Sequence, residues 1–434
     1  MSTIHIAGAG LAGLACALRL AEAGRRVALY EAAPQAGGRC RSFHDSLLDR
    51  PLDNGSHLVL SGNRALLGYL ERIGARDRLE EVRPAAFPFR DLRSGESWTL
   101  RPGGAWLFDP ARRVPGSRAH DYLAALRLLT AGAAESVADV LPPDGPLFER
   151  LWAPLVVSGL NMAPERGSAR LFAAILRETL LRGESACRPL VARDGLSDAF
   201  VTPALARLRA LGAAVHLEAR LEGLETSADR VTAIQVAGTR IALQADDALV
   251  LALPPWAVAK LLPALPVPPP GPAIVNAHYR LDGPVALPGG LPFLALVGGT
   301  AEWLFARGDV LSVTVSNADA LAAEPAERVA GRLWGDAART LGLEGPPPPW
   351  RVIKERRATF DQSPAHAAAR PAPRTGWANL LLAGDWTDTG LPATLEGAVR
   401  SGERAARAAL RPEVTSFARF RLFPAFTLRR SRHI

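Results

Sequence analysis

Gly8, Gly10 and Gly13 stand in GxGxxG spacing directly behind a short apolar run, Thr3 to Ala7. An acid, Glu31, closes the next such run, Arg26 to Tyr30. Together these residues can hold a dinucleotide. Gly8 makes the tight turn, Gly10 lets backbone N–H groups approach a pyrophosphate, and Gly13 lets the following helix pack on the sheet. Leu11 and Ala12 open that helix, whose N-terminus offers partial positive charge. Glu31 can accept the ribose hydroxyls. GxGxxG alone is a weak signal, but here strand, loop, helix, strand and acid follow in order.

Three later groups extend the pattern. Gly37-Gly38-Arg39 comes soon after Glu31, followed by Asp53-Asn54-Gly55-Ser56-His57. Far downstream, Gly384-Asp385 closes the apolar run Leu380 to Ala383, ahead of Gly390 to Gly397 and a helix-like stretch from Ala398 to Leu410. This set resembles the amine oxidase/phytoene desaturase superfamily of FAD proteins. The resemblance implies FAD rather than a nicotinamide, with Gly38 and Arg39 by the pyrophosphate and Gly384 and Asp385 on phosphate and ribityl. It further implies Asn54 and Gly55 near the flavin, and a backbone contact to adenine at Leu221. The final helix would point its N-terminus, at Pro392, Ala393 and Thr394, toward the flavin carbonyl, where a positive dipole stabilises the anionic reduced ring. No cysteine lies between 384 and 397, so non-covalent FAD is expected.

A narrower resemblance rests on Asp53-Asn54-Gly55-x-His57, Leu151-Trp152-x-Pro154-Leu155, Asn161 with Pro164-Glu165-Arg166, and Ser168 to Phe172. Lys354-Glu355-Arg356-Arg357-Ala358-Thr359-Phe360 and the long run Ala383 to Ala398 belong to it as well. From Ile4 to about Ala409 the chain is similar to the hydroxysqualene dehydroxylase family, the squalene-associated FAD enzymes of bacterial hopanoid biosynthesis. That implies reduction of hydroxysqualene to squalene with loss of the hydroxyl as water. The hydroxyl leaves an allylic carbon, so ionisation gives a delocalised cation that hydride can quench. An acid should protonate that hydroxyl in an apolar pocket. His57 and Asp53 are the candidates, His57 because its ring titrates near neutral pH; the alternative for His57 is a backbone hydrogen bond that only shapes the site. A related isoprenoid desaturase, an amine oxidase and a flavin-free prenyl carrier are the competing functions. Amine oxidases place a lysine near flavin N5, which would fall around Asn276, and Lys354 does not. An external electron donor is expected, because a second nucleotide fingerprint is lacking. An upstream squalene-pathway synthase or a membrane should deliver the apolar isoprenoid.

Several residues carry two readings. Glu396 is expected at the flavin edge or as a cap on its own helix start, Trp386 against the ring or in the core, and Lys354 in a surface ion pair. Glu165, Arg166 and Arg170 are expected in structural ion pairs, with Arg166 as an alternative contact to a polar substrate group.

The elements that must position these residues form an α/β fold: a discontinuous Rossmann-like FAD-binding domain with an inserted α+β substrate domain. The cofactor segments are 1–75, 188–265 and 346–412; the substrate segments are 76–187 and 266–345. Within them, Tyr122–Ala131, Leu147–Val157, Ala169–Arg182 and Ala199–Leu211 read as helical. Val215–Ala219, Val231–Val236, Ala248–Leu253, Ile274–Asp282 and Val310–Asn317 read as strands. Two uncharged stretches, Leu261–Arg280 and Gly283–Ala301, are broken by Pro and Gly and fit strands and turns better than a membrane span.

A chain of 434 residues has room for two or three domain-sized units. Its net charge of +8 is almost all arginine, scattered without interleaved aromatics, which argues against nucleic acid. Cys16, Cys40 and Cys187 have neither metal spacing nor a disulfide pattern. The chain enters a strand at once, without a signal-peptide pattern, so a cytoplasmic protein is expected. In the tail 413–434, Phe420, Phe423 and Phe426 precede Arg429-Arg430-Ser431-Arg432, a combination that suits peripheral contact with the inner membrane face or a solvated end.

Overall fold

Five short strands build the first sheet. The computed structural model describes residues 2–411; the tail 413–434 lies outside them. The strands run parallel in the order Ala214–His216, Arg26–Tyr30, Thr3–Ala7, Ala248–Leu251 and Leu380–Leu382. Parallel strands are covered on both faces, which is why they read as near-continuous apolar runs. Ile4, Ile6, Val27, Leu29, Val250 and Leu381 meet the helices Leu11–Glu22, Thr202–Ala210 and Leu395–Leu410 on one face. Ala7, Ala28, Leu249, Leu251 and Leu382 meet Val231, Ile234 and Val236 on the other. That covering layer is an antiparallel sheet of Leu221–Thr226, Val231–Val236 and Thr239–Ala242. The first and last helices touch closely because both are small-residue rich. A Cβ on Gly402 would stand 2.1 Å from the Ala12 carbonyl oxygen.

A seven-stranded mixed sheet forms the second unit, in the order Trp350–Glu355, Ile274–Arg280, Val310–Val315, Trp303–Arg307, Phe293–Val297, Phe87–Asp91 and Ser97–Leu100. Val275, Ala277, Tyr279, Val313, Leu304 and Leu294 project to one face and bury the amphipathic helix Ala326–Leu341. The opposite face is aromatic. One row across it, paired strand to strand, reads Asn276, Thr314, Trp303, Ala295, Phe89 and Trp98. The next reads His278, Ser312, Phe305 and Phe293.

Some boundaries differ from expectation. Trp350–Glu355, expected in the last cofactor segment, pairs antiparallel with Ile274–Arg280 at the edge of the seven-stranded sheet. Its uniform half-burial belongs to a sheet edge, and nothing local to it reveals which sheet. Ala119–Thr130 forms 3₁₀ turns rather than an α-helix. The helical run near 147–160 is a π-turn, Phe148–Trp152, leading into Ala153–Leu160. The strand expected at 215–219 stops at His216, because the chain turns there to run beside Glu31. Among the described residues no helix is long and apolar enough to cross a membrane.

Candidate FAD-binding and active site

The glycine loop has the geometry its spacing demands. Gly8 adopts a φ of +101°, and a Cβ there would stand 2.4 Å from the Ala252 carbonyl oxygen. A Cβ on Gly13 would meet the Gly8 carbonyl oxygen at 1.9 Å, so the helix of Leu11 and Ala12 presses against the loop. At Gly10 an added Cβ would meet nothing within 4 Å, which leaves backbone approach open to a pyrophosphate. Glu31 is held by the Ala9 N–H on Oε2 at 2.8 Å and the Ala33 N–H on Oε1 at 2.9 Å. The Ala219 N–H donates to the Glu31 carbonyl at 2.8 Å, bringing 218–221 alongside Glu31, the candidate ribose acceptor. Leu221 begins its strand there, buried. These features fit an FAD: an open backbone at the helix N-terminus, an acid at the second strand end and a buried wall beside it.

Gly37 donates its N–H to Ala9 O at 2.8 Å, and Gly37 and Gly38 both have positive φ, which places Arg39 beside the loop. Arg39 Nη2 reaches both oxygens of Asp385 at 2.8 Å, and Nη1 donates to the Ala358 carbonyl. The first and last cofactor segments are thus joined by one charge-assisted pair. Gly384 has a φ of +144° and donates its N–H to Ser401 Oγ at 2.9 Å. Thr394 caps the helix Leu395–Leu410, its hydroxyl accepting the Gly397 N–H at 3.0 Å, with Pro392 and Ala393 immediately before it.

The 53–57 segment separates the two acid candidates. Asp53 Oδ1 accepts from Ser42 Oγ at 2.5 Å and Leu196 N at 2.9 Å, while Oδ2 receives Arg307 Nη1. Three donors on one carboxylate favour a scaffold role for Asp53 over that of proton donor. His57 makes no ring hydrogen bond among the described residues, which lends no support to the alternative of a backbone bond. Burial pushes its pKa down to about 4, with Asp53 opposing and Arg39 adding to the fall. Beneath the loop, Asn276 Nδ2 donates to Asn54 O at 3.2 Å, and Thr314 Oγ1 donates to Asn276 Oδ1 at 2.8 Å. A Cβ on Gly55 would come within 3.3 Å of Asn276 Nδ2. Asn276 therefore anchors the loop at one end of the aromatic sheet face.

Other expectations divide. Glu396 does not cap its own helix, whose cap is Thr394. It is 3% exposed and accepts the Ala65 and Leu66 N–H groups at 3.1 and 2.8 Å, capping the separate helix Arg64–Arg72. Lys354 donates to the Glu324 carbonyl, a backbone partner rather than an acid. Trp386 is core, 1% exposed, with Nε1 on Leu253 O at 2.9 Å. Arg166 pairs with Asp361 at 3.2 Å. Glu165 and Arg170 are exposed, without an ion pair among the described residues.

Two supporting residues escaped sequence reasoning. Gln362, fully buried, accepts Ala393 N–H at 2.7 Å and donates to Leu160 O at 2.5 Å. Arg370 donates to Leu391 O at 2.6 Å and Thr387 O at 3.2 Å, with its guanidinium over Phe360. Both hold the 384–394 turn from outside, and their long-range partners leave no local signature.

A family model described as flavin containing amine oxidoreductase matches residues 11–410. The chain belongs to this family of FAD-dependent oxidoreductases. Within it, the chain is a member of the hydroxysqualene dehydroxylases. It is 49% identical to the hydroxysqualene dehydroxylase of Sinorhizobium fredii over 411 residues, 94% of this chain and 98% of the relative. Identity to the same-named protein of Rhodopseudomonas palustris is 49% over 410 residues, 93% and 97% of the two chains. A solved putrescine oxidase shares the fold at a TM-score of 0.70 and 20% identity, covering 94% of this chain and 99% of its own.

Proposed function

We propose that this protein reduces hydroxysqualene to squalene, with the hydroxyl lost as water and non-covalent FAD as cofactor. The observation that carries this is one juxtaposition: an intact dinucleotide cradle joined, through Asn54 and Asn276, to a sheet face of aromatic side chains. Phe89 stacks on Trp98 at 5.4 Å, and Phe293 packs at 6.3–6.4 Å from Phe87, Trp303 and Phe305. Such a wall suits a long polyene better than an amine. By the resemblance, the lysine that amine oxidases place near the flavin would fall around Asn276, where this chain has none, which favours the isoprenoid chemistry further.

When bound and reduced, FAD supplies hydride to the carbon that loses its hydroxyl. The chain contributes the rest. Gly8, Gly10, Gly13, Glu31, Gly38, Arg39, Gly384 and Asp385 hold the cofactor, with Leu11, Ala12, Asn54, Gly55, Leu221, Pro392, Ala393 and Thr394 along it. The aromatic wall excludes water from the site. His57 meets the leaving hydroxyl. With a pKa near 4 its charged form is about one part in a thousand at pH 7, so proton donation through His57 should strengthen toward acid. The apolar substrate comes from an upstream synthase or a membrane, electrons come from an external donor, and the protein works in the cytoplasm or at the inner membrane face.

The test is an anaerobic assay with hydroxysqualene and chemically reduced FAD, following product mass and visible spectrum. Squalene with return of the yellow flavin is expected. A yellow protein that yields no squalene and instead desaturates polyenes would overturn the assignment. In the same assay, kcat/KM should rise from pH 7.5 to 5 and His57→Gln should flatten that rise. A wild-type profile that is flat would remove His57 as donor.

A further inference from the structure

We propose that residues 105–130, together with Leu181, form a docking surface for an anionic lipid bilayer, through which the apolar substrate enters; this rests on the dehydroxylase reading above. Of the six large apolar side chains exposed among the described residues, four lie here: Phe108 at 79%, Leu123 at 57%, Leu126 at 47% and Leu181 at 48%. Scattered exposed leucines are ordinary, but this set is clustered.

The cause is the 3₁₀ geometry of Ala119–Thr130. With three residues per turn, side chains at i and i+3 lie one above the other. Tyr122, Ala125 and Leu128 therefore make one ridge, which is buried. Leu123 and Leu126 make the adjacent ridge, and it faces solvent. An apolar sequence that a wider α-helix could turn into the core is here split between core and surface.

The buried ridge leads inward. Tyr122 meets Trp106 at 5.2 Å and Trp152 at 6.2 Å, and Trp152 meets Phe172 at 6.4 Å. All four belong to, or pack on, the apolar core that contains Phe89, Phe293 and Trp303 of the aromatic sheet face. The segment is thus a roof between that face and the outside. Leu181 follows the helix Ala169–Glu178, whose Arg177 donates to Leu129 O at 2.6 Å.

Charge selects the occupant. Arg118, Arg127, Arg177 and Arg182 are exposed around these side chains, and their guanidinium groups have no carboxylate partner among the described residues; Asp121 instead takes the Arg118 backbone N–H. Within 105–130 the acids are Asp109, exposed, and Asp121, partly exposed with its carboxylate 3.1 Å from His120 Nε2. Apolar side chains ringed by arginine match an acyl–headgroup boundary carrying negative charge.

The full chain with FAD would be floated with vesicles of phosphatidylcholine alone or mixed with phosphatidylglycerol. Wild type should bind the mixed vesicles. A Phe108→Ser, Leu123→Ser, Leu126→Ser triple variant should lose that binding by at least about tenfold. Arg118→Ala with Arg127→Ala should erase the preference for phosphatidylglycerol. Both variants should still form squalene from detergent-dispersed hydroxysqualene. Unchanged flotation of the triple variant would overturn the proposal, as would loss of binding on removal of 413–434 with no effect of the triple. A wild-type dimer that the triple variant dissociates, with no vesicle binding, would assign the surface to a second copy and overturn it equally. Vesicle binding without squalene formation by wild type would remove the reaction and leave the surface standing.

Discussion

Histidines in this protein illustrate how burial decides chemistry. His278 is 1% exposed, with Nδ1 2.8 Å from Ser312 Oγ and no partner for Nε2 among the described residues. Burial lowers its pKa from 6.5 to about 4, against the pull of Asp53 and with a smaller push from Arg307. The unfolded chain takes up the proton near 6.5, the folded one only near 4. Between those values the unfolded state binds more protons, so stability is full above 6.5 and falls as pH drops. The slope is up to about 1.4 kcal/mol per pH unit for one such ring. Denaturant unfolding between pH 7 and 4.5 should show that fall, and His278→Gln should reduce it. An unchanged slope would mean that other groups carry the acid sensitivity.

At the scale of elements, helix ends do more than their sequences announce. Asn63 precedes the helix Arg64–Arg72 but gives it no side-chain cap. Glu396 supplies that cap from the first turn of the helix Leu395–Leu410, and Arg400 holds it at 2.8 Å. A carboxylate in the first turn of one helix thus caps another, where partial positive charge favours it. Glu396→Ala should cost roughly 2–3 kcal/mol, combining a lost cap with a loosened buried pair. Thermal unfolding should register the loss while the purified variant remains yellow. A colourless but stably folded variant would return Glu396 to the flavin edge.

Over the whole molecule, the candidate cofactor site closes only when chain segments about 350 residues apart meet, as Arg39 and Asp385 do. Arg39→Ala and Asp385→Ala should each weaken FAD binding about tenfold or more, in line with loss of a charge-assisted pair. The double variant should fall short of the summed losses by about 1 kcal/mol, since contacting partners couple. Equilibrium titration of FAD into the stripped proteins measures this; strict additivity would mean the two act independently.

Residues whose role is set by local backbone geometry were legible in the sequence. Gly8, Gly13, Gly37-Gly38 and Thr394 adopt the backbone geometry their spacing implies, because tight turns, close helix packing and capping depend on neighbours a few positions away. The parallel sheet and its apolar strands were legible for the same reason. Tertiary structure alone decided the partners. It tied Asp53 to Arg307, gave Glu396 to a distant helix, placed Asn276 beneath the 53–57 loop and moved Trp350–Glu355 into the second sheet. Periodicity specifies which face a residue presents; which surface meets that face depends on long-range packing, and no local pattern encodes it.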